Sequence, residues 1–190
     1  MRLLLLTILL LAPFASGEEI SYWVEPCTAA ESQCQPGDPE LADWALQAWQ
    51  KASDGNLHFE RVAARFQAQI RIRWASAQGG LYGETQRILV NGKPGAEVYV
   101  LPAPLNTGDD RLLRDAIVYL TCLHESGHAL GLAHTADFAD IMFSFQYGGD
   151  IPEYFGRYRR QLQARSDIRN HSGLSDADRK HLASALAAKH

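Results

Sequence analysis

The chain has 190 residues, enough for one domain with a sizeable core and too few for two comfortable ones. Its 46% hydrophobic content is ordinary for a globular protein. A net charge of −4 gives no case for nucleic acid, so a polyanionic partner is excluded.

The first residues read as a secretory signal. Met1-Arg2 is a short basic start, Leu3 to Leu11 is an apolar run too short to span a bilayer comfortably, and Pro13 leads to Ala15-Ser16-Gly17. The small residues Ala15 and Gly17 suit a cleavage site after Gly17, so 1–17 is expected to be removed and 18–190 exported, secreted or periplasmic in a Gram-negative bacterium. An uncleaved membrane anchor is the alternative. No cysteine follows the cut, so lipid anchoring is not indicated. The mature chain is expected to be a monomer without membrane contact. Ile20 to Val24 reads as a first strand that begins almost at the cut, which leaves no room for a pro-segment.

Three cysteines in an exported chain imply one disulfide and one leftover thiol. Cys27 and Cys34 share a loop-like stretch with Pro26, Pro36 and Gly37 and are the natural pair in an oxidising compartment. Asp38-Pro39 then opens a helix, with Asp38 as N-cap, and Leu41, Trp44, Ala45, Ala48 and Trp49 recur at helical spacing to about Ala52. Asp54-Gly55 ends it. Leu57 to Val62 and Gln69 to Trp74 read as strands, the second alternating Ile70, Ile72 and Trp74 with Arg71 and Arg73. A strand, a helix and further strands imply a parallel crossover and a helix-packed sheet. After a glycine-rich loop at Gln78 to Gly83, Glu84 to Val90 and Ala96 to Leu101 read as strands joined through Asn91-Gly92-Lys93-Pro94-Gly95. Asp109-Asp110 open a second long helix whose apolar positions are Leu112, Leu113, Ala116, Ile117, Leu120 and Leu123.

That helix carries His124-Glu-Ser-Gly-His-Ala-Leu-Gly-Leu-Ala-His134, which spells H-E-x-x-H-x-x-G-x-x-H. Residues i and i+4 lie one above the other on a helix, so His124 and His128 can offer nitrogens to one metal ion. Gly131 suits the left-handed turn that ends the helix and brings up His134. Three protein ligands leave a fourth position for water, the layout of a catalytic zinc site, with Glu125 beside it. Chance histidines on an amphipathic helix are the bland alternative, but the glycine and third histidine make it remote. Cys122 sits some 200° round the helix from His124, so it is expected to face the core. Eight residues beyond His134, Met142 stands where a methionine turn belongs.

With both signatures quoted, the chain resembles a metzincin zinc endopeptidase, closest to the matrixin branch; Thr135 after the third histidine fits matrixins, and Ser144 stands where other branches carry a tyrosine ligand. The resemblance is sharp only from about Leu120 to Phe143. It implies an α+β fold with an α/β-type upper subdomain, about 18–131. This is a twisted, mostly parallel sheet with an antiparallel edge strand, packed on two helices; a small C-terminal helical subdomain, about 132–190, follows. It also implies that an extended polypeptide substrate pairs with the strand at Glu84 to Val90; an ordinary hairpin is the alternative there. By resemblance, Phe143 to Gly149 lines the pocket for the residue after the scissile bond, with Tyr147 in its wall, and Asp178, opening the last helix after Ser175, braces the methionine turn. Met142 is an apolar floor under the histidines. The resemblance breaks where matrixins bind further metal ions: Ala75 to Gly108 holds no His and no Asp, so one catalytic zinc is expected.

Glu153 to Arg165 is longer than matrixins place there and reads as a short basic, aromatic helix, its rings packed on the lower subdomain or serving as a substrate rim. The expected activity is peptide-bond hydrolysis by a zinc-activated water, with Glu125 as proton carrier. Two other functions stay open: a zinc hydrolase of small peptides or cell-wall crosslinks, and a catalytically silent binding module of the same fold. The presence of Glu125 speaks against the second.

Overall fold

The computed structural model describes residues 17–75, 82–102 and 107–189; the expected signal up to Ser16 and residues 78–81 of the expected glycine-rich loop lie outside them. Five strands, β1 (Glu18–Val24), β2 (Leu57–Arg61), β3 (Ile70–Trp74), β4 (Gly83–Val90) and β5 (Lys93–Val100), form one sheet in the order β2-β1-β3-β5-β4. Neighbours among the first four run parallel, and β4 closes one edge antiparallel to β5. Four helices complete the chain: α1 (Asp38–Ala52), α2 (Arg111–Ala129), α3 (Ile151–Arg159) and α4 (Asp176–Ala187). The fold is therefore α+β, with a mostly parallel sheet and one antiparallel pair.

Alternation decides the faces of the sheet. Ile70, Ile72 and Trp74 of β3 and Ala96, Val98 and Val100 of β5 are buried in the core, while Arg71 and Arg73 point the other way and are only half-buried. Helix α1 buries Leu41, Ala45, Ala48 and Trp49. Trp49 also meets its polar need inside the core, since its indole nitrogen donates to the carbonyl of Leu123 on α2 at 2.9 Å. Cys122 is fully buried beside it in the chain, and burial pushes its thiol far above the usual range. Cys27 and Cys34 lie at disulfide distance, their Cα atoms 5.2 Å apart.

Two local expectations are corrected. Asp38 does not cap α1: the cap position is Gly37, and the carboxylate of Asp38 turns inward to a bidentate pair with Arg114 of α2 and accepts from the Gln35 amide at 2.8 Å. Both charges are buried, Asp38 to 1% and Arg114 to 7% exposure, and a buried guanidinium needs a carboxylate more than a helix end needs a cap. The β4–β5 connection is only Asn91-Gly92, both with positive φ (52° and 78°), so Lys93, Pro94 and Gly95 belong to β5. Pro94 is tolerated because β3 joins β5 only from Ala96 onward, leaving it with one neighbouring strand.

On the sheet's other face Glu97 of β5 accepts hydrogen bonds from Arg65, from Arg71 at 3.4 Å and from Tyr99 at 2.8 Å. Burial alone would raise its carboxyl, but the Arg65 and Tyr99 hydrogen bonds and the arginine charge prevail and hold it at about 2.

Removing one partner of the Asp38–Arg114 pair strands a buried charge. Arg114→Leu should lose about 3–5 kcal/mol in urea unfolding. A loss under about 1 kcal/mol would mean that water reaches Asp38. For Glu97 the folded value lies below the ordinary 4.5, so its stabilisation is complete above that pH and is lost as the pH falls towards 2. The melting temperature of Glu97→Gln should therefore fall less than that of wild type across this window. Parallel curves would remove Glu97 from acid unfolding.

Candidate metal centre

Helix α2 puts His124 and His128 one turn apart, then ends at Ala129. The ending is specific: the amides of Gly131 and Leu132 donate back to the carbonyls of His128 and Gly127, both at 3.0 Å, and Gly131 adopts φ +99°. This paired closure requires a left-handed residue, which only glycine adopts without strain. The reversed chain carries His134 over the helix. Beyond it, Thr135 bridges to Phe143, its amide donating to the Met142 carbonyl at 2.9 Å.

The three imidazoles converge through their Nε2 atoms, 3.3 Å apart for His124 and His134 and 3.0 Å for His128 and His134. Two of the three Nδ1 atoms are occupied elsewhere: His124 donates to the Ile141 carbonyl at 2.7 Å and His128 to the Leu132 carbonyl at 2.9 Å. That fixes the tautomer of both helix histidines, leaving their Nε2 lone pairs bare and aimed inward. Two such acceptors do not satisfy one another. Nitrogens bound at 2.0–2.1 Å to a tetrahedral ion are separated by about 3.3 Å, so the spacing fits a zinc-sized cation. Burial pushes His124 down to about 4, which keeps the ring neutral and ready to ligate. The other ligand-type cluster among the described residues, Cys27, Cys34 and Asp38, is committed to the cysteine pair and to Arg114.

A buried carboxylate holds this geometry from below. Asp178 of α4 is fully buried and accepts from the amides of Ile141 at 2.9 Å, Met142 at 3.4 Å and Ser175 at 2.8 Å. Ser175 caps α4 and donates to Asp140 at 2.6 Å, while Tyr154 donates to the Asp140 carbonyl at 2.9 Å. Met142 is fully buried, and its sulfur fills the space a side chain at Gly127 would need.

Glu125 lies on the open side at 6% exposure. Burial raises its carboxyl to about 7, against a hydrogen bond from Thr85 and with Glu84 adding to the rise. Thr85 Oγ1 stands 2.7 Å from the carboxylate and 2.9 Å from the Glu125 carbonyl. Strand β4 comes this close because Gly83 has no side chain: a Cβ there would lie 2.7 Å from Glu125 Cγ and 2.8 Å from Thr121 Cγ2. Histidines, Glu125 and β4 open onto one cavity of about 680 Å³, whose apolar wall is Tyr82, Leu120, Phe143, Phe145, Tyr154 and Phe155.

Of the residues expected from sequence, His124, Glu125, His128 and His134 meet in this cavity; Met142 and Asp178 are buried outside its lining, and Gly131 is exposed at the turn that ends α2. Tyr147 is a correction. It ends the turn Phe145–Tyr147 at 57% exposure and does not line the cavity; Phe145, at the start of that turn, takes the inward place. Gly83 was not expected at the site; Thr85, Phe145, Tyr154 and Phe155 fall in segments expected to meet substrate or left open as its rim, but none was singled out. Only the aromatic density of 143–155 hinted at the last three. Comparison of the sequence with known protein families and with curated proteins finds no match.

A side chain at position 131 costs about 1–2 kcal/mol at positive φ and displaces His134. Gly131→Ala should therefore lower both the melting temperature and the affinity for zinc in a competitive chelator titration. Unchanged zinc affinity would show that His134 is placed independently of this turn.

Proposed function

We propose that the mature chain is an exported zinc endopeptidase of the metzincin type, closest to the matrixins. The observation that carries this reading is the convergence of three imidazole nitrogens beside a buried carboxyl at the mouth of an apolar cavity. A zinc ion held by His124, His128 and His134 would supply a Lewis acid that acidifies water and polarises a peptide carbonyl. Glu125 accepts the proton of the attacking water and returns it to the leaving amine. A carboxyl poised at about 7 suits both directions of transfer near neutral pH. Thr85 orients it, and the dry aromatic wall shields it from competing solvent.

The substrate is an extended polypeptide. Among the described residues β4 is the terminal strand of the sheet, with no strand on its outer row of amides and carbonyls, which can pair with a peptide running antiparallel, the stronger of the two ladders. The cavity beside it takes a large apolar side chain, immediately after the scissile bond. Export of the chain and pairing of Cys27 with Cys34 belong to the same reading, since a disulfide persists outside the reducing cytoplasm.

Glu125→Ala should abolish hydrolysis of casein or gelatin while about one zinc per chain stays bound. Wild-type rates in that variant would dismiss Glu125 as proton carrier, and a zinc-loaded wild-type chain inert on every polypeptide would dismiss the endopeptidase. Two zinc ions per chain, or tightly held calcium, would overturn the single-metal expectation.

A further inference from the structure

Strand β4 has a direction, and the direction gives the cleft two unlike ends. Gly83 and Thr85 lie against Glu125, and the strand then runs away from the helix through Arg87 and Leu89. Residues 83, 85, 87 and 89 share the face that looks towards α2, since their partners Val100, Val98, Ala96 and Pro94 include the buried row of β5. Arg87 is exposed, yet it lines the cavity that holds the histidines.

Its electrostatic setting is unusual for this protein. On β3, beyond β5 in the sheet, Arg71 pairs with Glu97 and Arg73 pairs with Glu25 and Glu97. Arg87 has no carboxylate partner among the described residues, and the loop residues 76–81 and 103–106 include no Asp or Glu. The two acids that line the cavity, Glu84 and Glu125, stand at the start of the strand. Positive charge thus sits at one end of the cleft and negative charge at its centre.

A peptide antiparallel to β4 enters over Leu89 and Arg87 and leaves past Gly83 into the aromatic pocket. Its N-terminal portion lies along Arg87. Strand alternation places the residue beside Arg87 on the same side as the one in the pocket, two positions earlier. We propose that Arg87 selects an acidic side chain on the N-terminal side of the scissile bond, expected at the second residue before it. This rests on the endopeptidase reading and adds a substrate class to it: extended chains with an acid upstream and a large apolar residue just after the cut. An acid downstream would instead approach Glu84 and Glu125, which disfavour it.

The test uses the zinc-loaded mature chain and matched peptides that differ only in Glu, Gln or Lys at the upstream position. Wild type should cleave the Glu peptide about two- to fivefold more efficiently in kcat/KM than the Gln peptide, the scale of one solvent-facing charge pair, and less so as salt is raised. Arg87→Gln should bring that ratio close to one, and Arg87→Glu should turn the preference towards Lys. A wild-type ratio near one, or a preference that survives Arg87→Gln, overturns the proposal. If no peptide is cleaved, the affinities of the same peptides, read by fluorescence anisotropy, decide separately. A Glu preference lost in Arg87→Gln keeps the role of Arg87 while the endopeptidase reading falls, and equal affinities end both.

Discussion

The carboxylate of Asp178 fixes the distance between the two halves of the site. It is buried without a basic partner and is held by three backbone amides, so the segment Ile141–Met142 and the first turn of α4 cannot separate without exposing a desolvated charge. From Ile141 the constraint passes to the metal centre, because that residue's carbonyl holds the Nδ1 proton of His124. Met142 then stands where only Gly127 leaves space for it. A residue of α4 thereby orients a histidine on α2.

The same logic accounts for the basic, aromatic segment after the methionine turn. Helix α3 buries Tyr154, Phe155 and Tyr158, and two of these rings also wall the cavity. Arg157 lies over the rings of Phe138 and Tyr154 and donates to the carbonyls of Phe138 and Ala139, closing the loop that leads to Ile141. Arg159 pairs with Asp110 at the cap of α2, and Arg165 reaches the Gly37 carbonyl at the start of α1. These arginines are spent on holding loops and helix ends, which separates them from Arg87, whose charge meets no carboxylate in the described fold.

What could be read from the sequence was whatever repeats within one element. The i, i+4 spacing of His124 and His128, the alternation of β3, the apolar stripe of α1 and the glycine at 131 are local rules, and the folded chain follows them. Thr85, Gly83 and Arg87 were illegible for the opposite reason. Their importance depends on the register of β4 against β5 and on how closely α2 crosses that strand, neither of which leaves a periodic trace. Asp38 shows local and tertiary rules in conflict: an Asp-Pro pair advertises a helix cap, and a buried arginine 76 residues away outbids it. Tyr147 failed because the inward residue of a short turn depends on the turn's entry angle, which neighbouring aromatic residues do not reveal.

Five acids are buried among the described residues, and their partners sort them by task. Asp38 has a guanidinium, Glu97 has arginines and a phenol, Asp178 has three amides, and Asp140 has the Ser175 hydroxyl with Tyr154 holding its own carbonyl. Each of these four is a structural tie. Glu125, like Asp140, has a single neutral donor, here Thr85, and burial with the charge of Glu84 raises its carboxyl. Such a group costs stability in the folded chain, since its charged form is desolvated and under-satisfied. The glycine at 83, which lets a strand press against it, raises that cost further by excluding water. A cost retained at the one carboxyl beside three converging imidazoles is the expected mark of a group kept to carry a proton rather than to hold the fold.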